Sequence, residues 1–250
     1  EALNRAPNGN DSVMNCIERG WRFYAERPWA AGCFFWTGFD YRGEPNPLKY
    51  PAVDSQFGIL DYAGFPKDEA WYLKAWWTDE TVLHLLPHWN LEGHEGEKVS
   101  VWAYSNCDEV ELKVNGKSMG RKAMPRYGHI EWDVTYQPGK LIAVGYRNGK
   151  KVKTAVVETT GKATAIALSA DRDMIKADNT DVAVVTVALK DKKGRVVPTA
   201  CQQLTLHLDG DMRILGVGNG DPACKDAERP TDANAKDFTV KAFNGYARIF

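Results

Sequence analysis

From Thr81 onward the apolar residues recur at every second position, and that rhythm restricts the rest of the chain to antiparallel sheet. Val99, Val101 and Ala103 alternate with Ser100, Trp102 and Tyr104, and Val110, Leu112 and Val114 alternate with Glu111 and Lys113. Successive side chains of a strand point to opposite faces, so this alternation puts one face in a core and leaves the other to solvent. Asn115-Gly116 and Asn148-Gly149 supply the two consecutive left-handed residues that a tight hairpin turn requires. Ile130, Trp132 and Val134 make a further strand, and 141–146 another. Short strands with regular turns predict an antiparallel sandwich over residues 81–160. Gly161-Lys162-Ala163 reads as a linker. A second all-β sandwich is expected over 161–250, with strands at 165–169, 182–190, 204–209, 213–217 and 238–242. The run 246–250 reads as a strand cut short, so this second sandwich is expected to be truncated.

The first 80 residues follow another rhythm. Met14, Ile17, Trp21 and Tyr24 recur at helical spacing up to Arg27, with Asp11 or Ser12 placed to cap the helix and Pro28 to stop it. A second helix is predicted from Asp68, as its cap, to about Trp77. Between the helices lies Trp29-Ala-Ala-Gly-Cys-Phe-Phe-Trp36-Thr-Gly-Phe-Asp40-Tyr-Arg-Gly-Glu44-Pro45. Its first half is an apolar run suited to a strand buried on both faces. Its second half is aromatic and polar. A buried strand opening into such a loop is how a parallel α/β barrel presents a ligand site. A flat indole beside carboxylates suits a sugar, which has an apolar ring face and a rim of hydroxyls. The loop over 46–66 is punctuated by Pro47, Pro51, Gly58, Gly64 and Pro66, and its runs 57–60 and 62–65 are expected to cross the barrel mouth.

At these residues a resemblance becomes specific. The stretch RPWAAGCFFWTGFDYRGEP resembles the last barrel strand of glycoside hydrolase family 2, of the β-galactosidase type. SQFGILDYAGFPKDEAWYLKAWW resembles the loop and final barrel helix that follow, and VLHLLPHWNLEGHEGEKVSVWAYSNCDEVELKVNGKSMGRK the immunoglobulin-like domain after them. LIAVGYRNGK and GVGNGDP continue the match. The resemblance implies that residues 1–80 are the end of a (β/α)8 catalytic barrel, entered part-way, followed by the two sandwiches. It implies the C-terminal segment of a retaining exo-β-glycosidase that takes terminal β-linked sugars from glycans, without an organic cofactor. Trp36 would form the floor of the monosaccharide subsite, and Asp40 would bind a hydroxyl or hold the loop. Glu44 would join the site or pair with Arg42. Retention needs two carboxyl groups about 5 Å apart, and in this family both come from earlier barrel strands. Glu1 stands where a nucleophile could lie, yet without preceding context it is no motif. This chain alone is therefore expected to be inactive, with no catalytic residue assigned. The resemblance also suggests a periplasmic or secreted bacterial protein and leaves homo-oligomerisation open.

Other features are weighed against this reading. The formal charge of −1, from 32 basic and 33 acidic residues, gives no pull toward nucleic acid or a membrane surface. No apolar run approaches the roughly 18 residues of a membrane span. Cys16, Cys33, Cys107, Cys201 and Cys224 are scattered and odd in number, which argues against a disulfide framework or zinc site. His84, His88 and His94 lie near Glu92, Glu95 and Glu97, but Pro87 removes the helical spacing a metal pair would use, so no metal is assigned. Gly216-Val-Gly-Asn-Gly220 lacks the Lys-Ser/Thr of a phosphate loop and reads as a strand-ending turn. The alternative function is a non-catalytic carbohydrate-binding or spacer module, for which Trp89, Trp102, Trp132 and Tyr136 would have to form an exposed row.

Overall fold

The computed structural model describes residues 13–250, with side chains from Ile17 onward. It divides into two compact units. One joins the residues up to Trp36 with Pro66–Thr159, and the other joins Thr37–Phe65 with Thr160–Phe250.

The first unit opens with helix α1 (Val13–Ala25) and continues with α2 (Asp68–Trp77). The cap of α2 is Lys67, which makes no side-chain cap bond, so Asp68 is not the cap. Asp68 lies in the first turn, where its charge favours the positive end of the helix dipole. Seven strands follow: β1 (Leu83–Leu86), β2 (Lys98–Ser105), β3 (Glu109–Val114), β4 (Lys117–Ala123), β5 (Ile130–Thr135), β6 (Lys140–Arg147) and β7 (Lys150–Glu158). They form two antiparallel sheets, β1-β2-β5 and β4-β3-β6-β7. Val99, Val101 and Ala103 of β2 and Ile130, Trp132 and Val134 of β5 share one core with Val110, Leu112, Leu141 and Ala143 of the facing sheet. Each large apolar side chain buried this way contributes about 1.5–3 kcal/mol. The result is an immunoglobulin-like sandwich. Both hairpin turns form where expected: Asn115 and Gly116 have φ of 49° and 85°, Asn148 and Gly149 50° and 74°.

The second unit contains β8 (Ala165–Ala170), β9 (Val185–Lys190), β10 (Gln203–His207), β11 (Val217–Gly218), β12 (Asp237–Lys241) and β13 (Tyr246–Ile249). Its sheets are β11-β13-β9-β8 and β10-β12, closed over Val187, Leu189, Leu204, Ile214, Val217, Val240 and Ala247. The strand expected at 213–217 shortens to Val217–Gly218, although Ile214 still packs in the core. The 37–65 segment adds two isolated bridges to this unit, Phe39 parallel to Leu60 and Arg42 antiparallel to Asp54.

The end of a barrel expected over residues 1–80 is not seen as such among the described residues. Its two helices form, but the strand predicted between them does not. Residues 30–36 carry no strand assignment, and Trp29, Phe34 and Trp36 are 77 %, 105 % and 74 % exposed. A strand apolar on both faces is stable only when neighbours take both rows of its backbone hydrogen bonds and cover both faces. Residues 30–36 take part in no β-ladder or isolated bridge among the described residues. Among the described residues, no helix is long and apolar enough to cross a membrane.

Candidate functional site

The segment after Trp36 is held residue by residue. Leu60 N–H donates to Gly38 O at 2.9 Å and Asp40 N–H to Leu60 O at 3.0 Å, which lays 37–40 parallel to 57–60. Gly58 makes this approach possible: a Cβ there would stand 2.2 Å from Asp40 N and 2.5 Å from Leu60 O. The buried Asp40 carboxylate accepts the Gly58 N–H at 2.8 Å through Oδ1. Asp40 thus holds the loop. The chain then turns antiparallel to 53–55: Ser55 N–H donates to Tyr41 O and Gly43 N–H to Val53 O, both at 2.8 Å. The run 57–60 is therefore part of this support, while 62–65 closes a turn with Asp61 through Gly64 N–H to Asp61 O and Asp61 N–H to Phe65 O.

Glu44 and Arg42 do not pair with each other. The Tyr41 hydroxyl donates to the Glu44 carboxylate, and Glu44 sits at φ 47°, a left-handed conformation that costs a non-glycine residue about 1–2 kcal/mol. Arg42 turns the other way. Its Nη1 donates to Asp54 Oδ1 and to Cys224 O, each at 2.8 Å, and its Nε to Glu228 Oε1 at 3.0 Å, with Nη2 on the same oxygen. The guanidinium lies over the Tyr62 ring, 4.6 Å from its centroid, and the Tyr62 hydroxyl donates to Glu228 Oε2 at 3.0 Å. Burial opposes the charge on Arg42, but hydrogen bonding to Glu228 and the charges of Asp54 and Glu228 outweigh it and raise its pKa. Asp54 is 1 % exposed, and its Oδ2 has no hydrogen-bond partner. Burial lifts its pKa above the ordinary carboxylate value, with Arg42 offsetting part of the effect. Asp54, Tyr62 and Glu228 were not legible as partners of Arg42, because Glu228 is 186 positions away in a polar loop of ordinary composition.

The remaining candidates separate. His84 Nε2 meets Asp68 Oδ1 at 2.7 Å and stacks on Trp71, His94 Nδ1 meets Glu97 Oε2 at 2.9 Å, and His88 Nδ1 accepts the Asn90 N–H at 3.2 Å. The exposed aromatic row required by a binding module does not form. Trp132 on β5, Trp89 in the loop after β1 and Tyr136 just past β5 are core residues, and Trp102 stacks on His129 with centroids 4.0 Å apart. Asn219, in the glycine-rich turn, is buried and donates to Lys241 O at 2.9 Å. Cys33, Cys107, Cys201 and Cys224 are free thiols. Glu1 lies outside the described residues.

Residues 166–250 match the family model described as glycoside hydrolase family 2 C-terminal domain 5, and residues 96–153 match a domain of unknown function, DUF4982. The chain is 40 % identical over 230 residues to β-galactosidase BoGH2A of Bacteroides ovatus, an alignment covering 91 % of this chain and 26 % of that protein. It is 33 % identical over 208 residues to a β-glucuronidase of Formosa agariphila, covering 81 % and 21 %. Among solved structures, a β-glycosidase from Bacteroides vulgatus superposes with a TM-score of 0.83 at 34 % identity, over 93 % of this chain and 29 % of that one. A family 2 glycosyl hydrolase from Bacteroides cellulosilyticus gives 0.82 at 30 %, over 96 % and 35 %. The chain thus spans about a quarter of the length of the curated relatives it matches.

Proposed function

The chain belongs to glycoside hydrolase family 2, as a C-terminal region of that family, and on that premise we propose that it completes the sugar subsite of a retaining exo-β-glycosidase. The substrate class is a terminal β-galactoside or a related β-linked glycan. Residues 29–36 serve as the last strand of the catalytic barrel once the other strands flank them. Trp36 is the floor on which the pyranose ring stacks, and Asp40 and Glu44 shape the loop beside it. The two sandwiches are accessory domains, and the paired carboxyl groups of the retaining mechanism come from other strands of the barrel. The protein is periplasmic or secreted.

One observation carries this reading: the Trp36 indole is 74 % exposed at the end of an apolar run and directly before a segment built from backbone pairing and buried carboxylates. Stacking positions a sugar and moves no proton, so loss of Trp36 acts on binding. The test uses the full-length enzyme carrying this region with nitrophenyl β-galactoside and β-glucuronide. Trp36→Ala is expected to raise KM about two- to tenfold, as aromatic stacking energies of about 0.5–1.5 kcal/mol imply. The 250-residue chain is expected to show no turnover. Turnover by the chain alone at the rate of a full-length relative, or an unchanged KM in the variant, would overturn the proposal.

A further inference from the structure

We infer that Glu228, on the loop between β11 and β12, is a positioning residue that fixes the 40–44 segment through Arg42, and that this is how the C-terminal domain acts on the sugar subsite. The inference rests on the reading that this segment borders the sugar.

The connection can be followed atom by atom within the second unit. At its base, the buried Asn219 donates to Lys241 O of β12 and accepts the Asp221 N–H at 2.9 Å. Asp221 shapes the next turn by accepting the Ala223 N–H at 2.9 Å through its carboxylate and the Cys224 N–H at 3.0 Å through its carbonyl. Pro222 O accepts the N–H groups of Val53 and Asp54 at 2.8 and 3.2 Å, so the loop grips the segment that pairs with Arg42 and Gly43. Cys224 O and Glu228 then take three of the guanidinium's N–H groups, leaving Asp54 the fourth contact. Only a planar fork with several fixed donors satisfies these groups together, which an ammonium cannot do. Without Arg42, the Asp54 carboxylate would lie buried with neither oxygen paired, a strongly destabilising arrangement. The loop therefore holds the 40–44 segment directly through the Arg42 side chain, and holds its 53–54 pairing partner through Pro222 O. Asp40 and Glu44 stand two residues either side of Arg42.

Two readouts test this. In the 250-residue chain, Glu228→Ala is expected to speed amide hydrogen exchange at Gly43 and Ser55 by about tenfold or more, as local opening does, while Leu189 in β9 stays protected. In the full-length enzyme, Glu228→Ala is expected to raise KM for a nitrophenyl glycoside about tenfold with kcat nearly unchanged, and Glu228→Gln to restore part of the loss. Uniform acceleration across the unit would mean a general fold role and would overturn the inference, as would unchanged exchange at Gly43 and Ser55. If exchange rises locally and Trp36→Ala raises KM while Glu228→Ala does not, the positioning role fails and the subsite reading stands. If neither variant changes KM, the subsite reading itself has failed.

Discussion

Glu18 and His129, 111 positions apart, meet at 2.7 Å between Oε1 and Nδ1 with both side chains mostly buried. The same imidazole stacks on Trp102 at 4.0 Å between ring centroids. One face of α1 is thereby joined to the β2-β5 sheet. The second helix uses the same chemistry, with Asp68 on His84 and His84 stacked on Trp71 at 5.0 Å. Each pairing fixes a ring by one hydrogen bond and one aromatic face.

Glu18→Ala should therefore lower the stability of the first unit by about 1–3 kcal/mol, because it strips a half-buried donor of its acceptor. Glu109→Ala, which removes the solvated pair with Arg121, should cost about 0–1 kcal/mol. All nine tryptophans precede residue 133, so fluorescence during denaturant unfolding reports on this unit. Equal losses in the two variants would contradict the expectation.

Trp89 and Trp132 are both buried, but their ring nitrogens differ. Trp89 Nε1 donates to Gln137 O at 2.9 Å, whereas Trp132 Nε1 has no partner. Trp→Phe at 89 orphans a carbonyl, while at 132 it removes an unsatisfied donor. The first substitution should cost about 1–3 kcal/mol more than the second, measured as the difference between their denaturation midpoints at equal slope.

Gly58→Ala should break the parallel pairing of 37–40 with 57–60, since its methyl group would meet backbone atoms rather than a flexible side chain. The expected penalty is about 1–3 kcal/mol. Hydrogen exchange at the Asp40 and Leu60 amides, whose bonds span this pairing, should rise before that of β9 and β13.

His88 and His207 should titrate on opposite sides of the ordinary histidine value. Burial lowers the pKa of His88, while hydrogen bonding to Asp237, and then Asp209, raises that of His207. His88 is depressed on folding, so its contribution is complete above about pH 6.5 and is lost as pH falls through its folded value. His207 is raised, so its contribution is complete below about pH 6.5 and is lost as pH rises through its folded value. NMR titration of the five imidazoles should place the His88 midpoint below that of His207, and the reverse order would refute the assignment.

Trp36→Ala should leave stability within about 0.5 kcal/mol of the parent chain, as exposed substitutions do, because the indole is largely solvated. A large loss of stability would show instead that the ring packs. Thermal unfolding of the chain decides this independently of any glycoside assay.

Local patterns were legible where neighbours in the chain decide the outcome. The alternation around Val99–Ala103 and Val110–Val114 follows from the two-residue period of a strand, and both Asn-Gly turns form because those residues accept positive φ. Helix α1 was legible from its apolar spacing. The strand at 213–217 was overestimated, because its apolar residues pack in the core with little backbone pairing. Asp68 is not the cap because it is already the first helical residue, and its Oδ1 meets His84 of another element.

Residue order alone therefore specified two β-sandwiches with their turns and two helices, since all of these depend on periodicity and backbone preference. Tertiary structure alone decided that Arg42 joins Asp54, Tyr62 and Glu228, that Asp40 caps the Gly58 amide, and that Trp89, Trp132 and Tyr136 turn inward. It also decided that, among the described residues, 30–36 join no sheet. The physical reason is the same in each case: a hydrogen bond or a buried face needs a second surface, and which surface comes within reach depends on how distant parts of the chain pack.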